Sequence, residues 1–328
     1  MNIALGLDCD PDAAETYEAN FPEAAFVQRD IRSVTTRSLE QYVGLKENEL
    51  LLFAACAPCQ PFSKQRRKKR RNDLRATLLG QVLRFVVRYQ PHFIFFENVP
   101  GIQHPSLEER VFKRVVARLR AMGYAIELRV VESRRYGVPQ RRRRLTVIGS
   151  RVGPVSFPKE THGPEAKSKR FSTVWEWIGN LPPIRAGQTH SIVPNHRAAN
   201  LSPLNLRRIA ATPRGGGRMD WPSHLKLRCH RGYNGHSDVY GRMKKDEPAT
   251  GLTTRCISLS NGRFGHPTQN RAISIREAAC LQTFDRDFVF LGSMGAMARQ
   301  IGNAVPVVLA QAFGREYQRM ARRAAEKW

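Results

Sequence analysis

Cysteine is scarce in this chain. Six occur in 328 residues, at positions 9, 56, 59, 229, 256 and 280. Such sparse, irregular spacing suits a reducing cytoplasm better than a secreted disulfide framework. Long apolar runs are missing as well. No stretch approaches the roughly 18 residues that a membrane span needs, and no signal-peptide pattern is found, so a cytoplasmic protein is expected. Internal repeats are also lacking. Acidic residues are few: 28 Asp and Glu stand against 54 Lys and Arg, a formal net charge of +26 with pI about 10.7. That imbalance points to a polyanionic partner. With 41% hydrophobic and 25% charged residues, the remainder is ordinary globular composition for one large or two modest domains.

The positive charge is unevenly placed. Residues 1–50 hold ten acids and only four bases, so the excess lies entirely downstream. Lys64 to Arg71 contains seven bases in eight positions, and a second run spans Arg141 to Arg144. A charge run taken alone reads as a solvated face. Here the first run directly follows an apolar strand-like stretch, Leu51 to Cys56, that breaks into Ala57-Pro58-Cys59-Gln60. A cysteine on a proline-stiffened turn past a strand end is a candidate nucleophile, and a basic loop beside it suggests a nucleic-acid groove.

Periodicity predicts alternating strands and helices through the first 150 residues. Ile3 to Leu7 reads as a strand, Pro11 to Asn20 as a helix, Ala25 to Val27 as a weak strand ending at Asp30-Ile31. After strand 51–56, Asp73 can cap a helix striped with Leu78, Leu79, Val82, Phe85, Val86 and Tyr89. His92 to Phe96 is a buried strand broken at Glu97-Asn98-Val99, and Glu108 to Met122 a helix stopped by Gly123. Ile126 to Val131 and Leu145 to Ile148 are further strands. The expected fold class is α/β, a doubly wound, mostly parallel sheet of Rossmann type. Residues 151–270 are rich in Gly, Pro, His and Arg and read as an inserted, smaller, loop-rich module. Ser274-Ile-Arg-Glu277 has capping-box spacing, and a final helix runs from about Pro306 to Lys327.

Cys56-Ala-Pro-Cys59 is formally a CxxC, so a redox pair, half of a zinc site and a structural cysteine all stay open. No second CxxC exists, Cys229-His230 lacks zinc spacing, and Cys56 is expected within the strand, pointing into the sheet. No metal site is therefore expected. Glu97, at a neighbouring strand mouth against apolar walls, is expected to keep part of its carboxyl protonated. A thiolate and a near-neutral acid at adjacent strand ends can add a nucleophile to an electron-poor ring while protonating a ring nitrogen.

Five segments, Pro58-Cys59-Gln60, Glu97-Asn98-Val99, Gln140 to Arg144, Arg276-Glu277 with Leu281-Gln282, and Gly302-Asn303-Ala304-Val305-Pro306, resemble motifs of the cytosine-5 DNA methyltransferase family in that family's order. The resemblance covers nearly the whole chain apart from the module. It implies that Cys59 attacks carbon 6 of a cytosine, that Glu97 protonates or hydrogen-bonds its ring nitrogen 3, and that Arg142 and Arg144 hold the base. It implies S-adenosyl-L-methionine as methyl donor, with Asp8 on the ribose hydroxyls and Asp30-Ile31 bracketing the adenine. Cys9, Pro58, Leu78, Asn303 and Ala304 would line the same pocket. The target base would be flipped out of double-stranded DNA, with Gln60 and loop 64–71 closing around the gap. Residues 1–150 plus 271–328 would form the catalytic domain and 151–270 the target-recognition domain, as in the methyltransferase of a restriction-modification system.

One family feature has no counterpart. The Phe-x-Gly-x-Gly-Gly loop that approaches the methionine part of the donor is missing, and Met1 begins at what would be the second strand. Two functional readings follow: a sequence-specific DNA cytosine methyltransferase, or a non-catalytic or split DNA-binding subunit whose missing piece comes from a second polypeptide. The tRNA-acting branch is disfavoured because its Cys-Phe-Thr signature is not found.

Overall fold

The computed structural model describes residues 1–46, 49–56, 78–100, 107–165, 168–230, 235 and 237–326. Pro58, Cys59, Gln60, the basic run 64–71 and the Asp73 cap lie outside these residues. In chain order the strands and helices begin with β1 (Leu5–Asp8), α1 (Pro11–Asn20), β2 (Ala25–Gln28), β3 (Leu52–Ala55) and α2 (Leu78–Tyr89). Next come β4 (Phe93–Asn98), α3 (Leu107–Ala121), β5 (Ala125–Glu132), β6 (Gln140–Arg141) and β7 (Arg143–Ser150). The later elements are α4 (Val174–Ile178), α5 (Pro203–Ala211), β8 (Ala249–Thr250), α6 (Ile275–Leu281), α7 (Met294–Asn303) and α8 (Val307–Ala325). Among the described residues no helix is long and apolar enough to cross a membrane.

The chain divides into two compact units. One comprises Met1–Glu132, Arg143–Lys159 and Gln311–Trp328; the other comprises Ser133–Arg142 and Glu160–Ala310. This division differs from one drawn at residues 151 and 270. Helix α6 is buried along its whole length and shares a core with Val174 and Ile178 of α4, so it belongs with the loop-rich unit.

The first unit is built on strands. β1 and β2 pair in parallel, and the crossover helix α1 lays Tyr17 against Phe26 with ring centroids 4.9 Å apart. Asp10 caps that helix by accepting from the Asp12 N–H at 3.1 Å. The four-stranded sheet has the order β3-β4-β7-β5. Strand β4 is buried at all six positions. Its alternate residues Ile94 and Phe96 join α2 and α3 in one core, while Phe93 and Phe95 on the other face meet Tyr317 and Phe313 of α8 at 5.3 and 5.1 Å. Each of these side chains contributes about 1.5–3 kcal/mol by leaving water. Two-sided cover explains why β4 reads as a continuous apolar run.

The sheet is mixed, which corrects the expectation of a mostly parallel one. Among the described residues only β3–β4 is parallel within it; β7 runs antiparallel to both β4 and β5. Residues 133–142 between β5 and β7 contain no helix long enough to carry the chain back across the sheet, and such a short link returns it antiparallel. Cys56 also departs from expectation. β3 ends at Ala55, and Cys56 just beyond it is exposed.

The second unit has short helices separated by long irregular stretches. Capping boxes at Thr173–Glu176 and Ser274–Glu277 start α4 and α6, and Ser202 caps α5. Irregular backbone leaves carbonyls without ladder partners, and buried arginines supply donors. The Arg242 guanidinium donates to the carbonyls of Thr212, Ile209, His266 and Gln269. Arg271 donates to Ile184 and Ala272 carbonyls and pairs with both Glu277 oxygens at 2.6 and 2.7 Å.

Candidate active site

Glu97 lies inside the β4 ladder, one residue further into the strand than expected, opposite Thr146 of β7. Residue Arg144 is two positions from Thr146 and therefore on the same face. The Arg144 Nε stands 2.9 Å from Glu97 Oε1, with the glutamate side chain 6% exposed and the arginine 21%. The contact joins an acid shielded from water to a guanidinium that keeps one side toward solvent. The sheet thus brings together two residues that lie 47 positions apart. Cys59 follows Ala55, the last residue of β3, by four positions and lies outside the described residues.

The ends of β1 and β2 gather carboxylates in the same unit. Asp8 closes β1 and accepts from the Asp10 N–H at 3.0 Å. Cys9 is exposed beside it. Partial desolvation and the carboxylates of Asp8, Asp30 and Asp10 hold the Cys9 thiol above its usual range. Asp30 is gripped by Arg32 through its guanidinium and backbone N–H, which lowers its carboxyl to about 2. Ile31 is half-buried against Val34 and Phe85, and Leu78 opens α2 half-exposed. An exposed, acceptor-only Asp8 carboxylate at a strand end fits a ligand bearing paired hydroxyls, such as a ribose. Asp30, already engaged by Arg32, fits a role in shaping the adjacent loop.

The arginine run separates by function, with Arg144 in the first unit and Arg142 in the second. Arg142 is buried, and its Nη1 donates to the carbonyls of Leu252 and Gly302 at 3.2 and 2.9 Å. Gly302 is needed there: a Cβ would fall 2.3 Å from the Thr253 carbonyl oxygen. Gln140 joins the same arrangement, donating to Leu281 O at 2.9 Å and to Gln282 Oε1 at 2.7 Å while accepting from the Leu252 N–H. Asn303 is exposed at the end of α7, and the Ala304 N–H caps that helix through Gln300 O. Arg142 therefore anchors the segment that carries Asn303 and Ala304. Gln140 and Gln282 were invisible as anchors in the sequence, where their only signal was membership of two short motifs.

A profile of the C-5 cytosine-specific DNA methylase family matches residues 1–319. The chain is similar to the Type II methylase M.HgiDII of Herpetosiphon aurantiacus, 37% identical over 325 residues that cover 97% of this chain and 89% of that protein. It is also similar to the Type II methyltransferase M1.HphI of Haemophilus parahaemolyticus, at 32% identity, covering 96% of this chain and 80% of the other. Among solved structures, a prophage-encoded protein of E. coli assigned as a DNA modification methyltransferase superposes with a TM-score of 0.73. That match has 21% identity, covers 98% of this chain and 93% of the other, and shows a shared fold.

Proposed function

The chain belongs to the C-5 cytosine-specific DNA methylase family, whose members take their methyl group from S-adenosylmethionine, and we propose that it methylates a cytosine flipped out of a specific double-stranded DNA sequence. The observation that carries the mechanistic reading is the pairing of buried Glu97 with half-buried Arg144 on one face of the sheet. In this reading the Cys59 thiolate adds to carbon 6 of the base. Glu97 delivers its proton to ring nitrogen 3, so the electron pair released by the addition makes carbon 5 nucleophilic. Bound S-adenosylmethionine would supply an electrophilic methyl group there, its sulfur–methyl bond breaking to leave S-adenosylhomocysteine. A base then removes the carbon-5 proton, and the returning electron pair expels Cys59 as nitrogen 3 gives its proton back. Arg144 holds Glu97 in register and is the candidate contact to the base. The strand-end Asp8 would take the ribose hydroxyls of the donor, with Cys9, Asp30, Ile31, Pro58 and Leu78 as the other candidates of the first unit; Asn303 and Ala304 are the donor candidates of the second.

Target reading is assigned to the module within 151–270. Burial narrows the candidates: Arg207, Arg214, His224, Lys226, Arg228 and Arg255 are exposed, while Arg208, Arg218 and Arg242 are enclosed by their own unit. Exposed donors can reach base edges or phosphates. The test is transfer of labelled methyl from S-adenosylmethionine to DNA by the purified chain. Cys59→Ser is expected to abolish transfer while leaving DNA binding intact; turnover by that variant sinks the mechanism. Transfer by the chain alone would remove the need for a second polypeptide.

A further inference from the structure

The segment Gly302 to Pro306, from the end of α7 to the start of α8, is held by one neighbouring pair of residues. Gln282 is fully buried, and its side-chain amide donates to the carbonyls of Ile301 and Ala304. Gln140 Nε2 donates to the other end of that amide, fixing which end faces the turn. On the far side, the Val307 N–H donates to the Gln282 carbonyl at 3.1 Å, and the Val308 N–H donates to the Thr283 hydroxyl at 3.0 Å. Both ends of the turn are thus pinned to two consecutive residues. The first-turn N–H groups of a helix have no partner within it, so Thr283 acts as a cap supplied from a distant segment.

Thr283 adopts φ +63° and is buried. A β-branched residue in the left-handed region is strained, and such strain persists only where the surroundings impose it. Glycine or asparagine would meet the backbone demand more easily. Only serine or threonine also offers the hydroxyl that Val308 uses.

We propose that Gln282 and Thr283 are positioning residues for the methyl donor, setting the Gly302–Pro306 backbone that presents Asn303 and Ala304. This rests on the assignment of those two residues to the donor pocket. The experiment measures the Kd for S-adenosylhomocysteine by calorimetry on the full chain, together with kcat, donor KM and the thermal midpoint. Thr283→Val removes the hydroxyl and should raise Kd and donor KM about tenfold, with kcat changed by less than about threefold. Thr283→Ser should restore the original Kd. Thr283→Gly relieves the strain, so it should keep or raise the thermal midpoint while still weakening binding. An unchanged Kd in both Thr283→Val and Thr283→Gly overturns the proposal, as does a fall in kcat at saturating donor with Kd unaltered. Failure of the unsubstituted chain to bind S-adenosylhomocysteine instead overturns the donor assignment beneath it.

Discussion

The first compact unit satisfies its backbone with strand ladders and helices, whereas the second recruits arginine side chains for the purpose. Among the described residues the buried arginines are Arg142, Arg208, Arg218, Arg242, Arg271 and Arg276, and all six belong to the second unit. Arg276 shows the pattern, donating to the carbonyls of Pro194, Asp285 and Phe288. Arg208 does the same to Leu225 O and stacks over Trp221. A guanidinium is a planar array of donors with no acceptor, which matches the surplus of carbonyls that irregular backbone creates. In the first unit the paired Arg144 stays partly exposed and faces a single acid, Glu97. The contrast teaches that a net charge of +26 overstates the surface available to DNA, because part of it is internal scaffolding.

The largest effect that sharpens the contrast is chemical. Glu97→Gln is expected to lower kcat by about 10²–10⁴-fold while leaving the thermal midpoint nearly unchanged, since the neutral amide keeps the shape. Methyl transfer at the original rate would place the proton donor elsewhere. Next comes a structural arginine. Arg271→Met leaves the Glu277 carboxylate buried without its bidentate partner, at a cost of about 3–5 kcal/mol in the second unit. Urea unfolding and limited proteolysis would detect it; a loss below about 1 kcal/mol would break the comparison.

A smaller effect depends on pH. Burial holds His266 down at about 4, against an ordinary 6.5, with Glu277 opposing the shift. The unfolded chain therefore takes up the proton first, and stability should fall as pH drops from about 6.5 through 4, while staying flat above that window. His196, also lowered by burial, acts in the same direction. The His266 contribution is on the order of 3 kcal/mol at most. His266→Gln should flatten the urea midpoint between pH 7 and 4.5; an unchanged slope would assign it to other groups.

Much of the first unit was legible in the sequence. Helix α1 occupies Pro11–Asn20 as its early proline predicts, and in the second unit the Ser274–Glu277 capping box forms at the start of α6. These features depend on neighbours within a few residues. The direction of β7 was not legible, because antiparallel and parallel strands buried on both faces share one apolar pattern. Nor was the split between Arg142 and Arg144. Two residues apart in one basic run, one binds the Leu252 and Gly302 carbonyls and the other binds Glu97. Thr283 gave no sign of its left-handed backbone, since nothing local favours that conformation for a threonine.

The order of elements, the motif order and hence the family were determined by the sequence alone, because local propensity and short motifs are properties of adjacent residues. Which arginines face solvent, which acid meets which base, and which side chains hold the Gly302–Pro306 turn were decided only by tertiary structure. The physical reason is that a guanidinium can donate to phosphate, carboxylate or stranded carbonyls alike. The choice among them depends on where distant parts of the chain leave an acceptor.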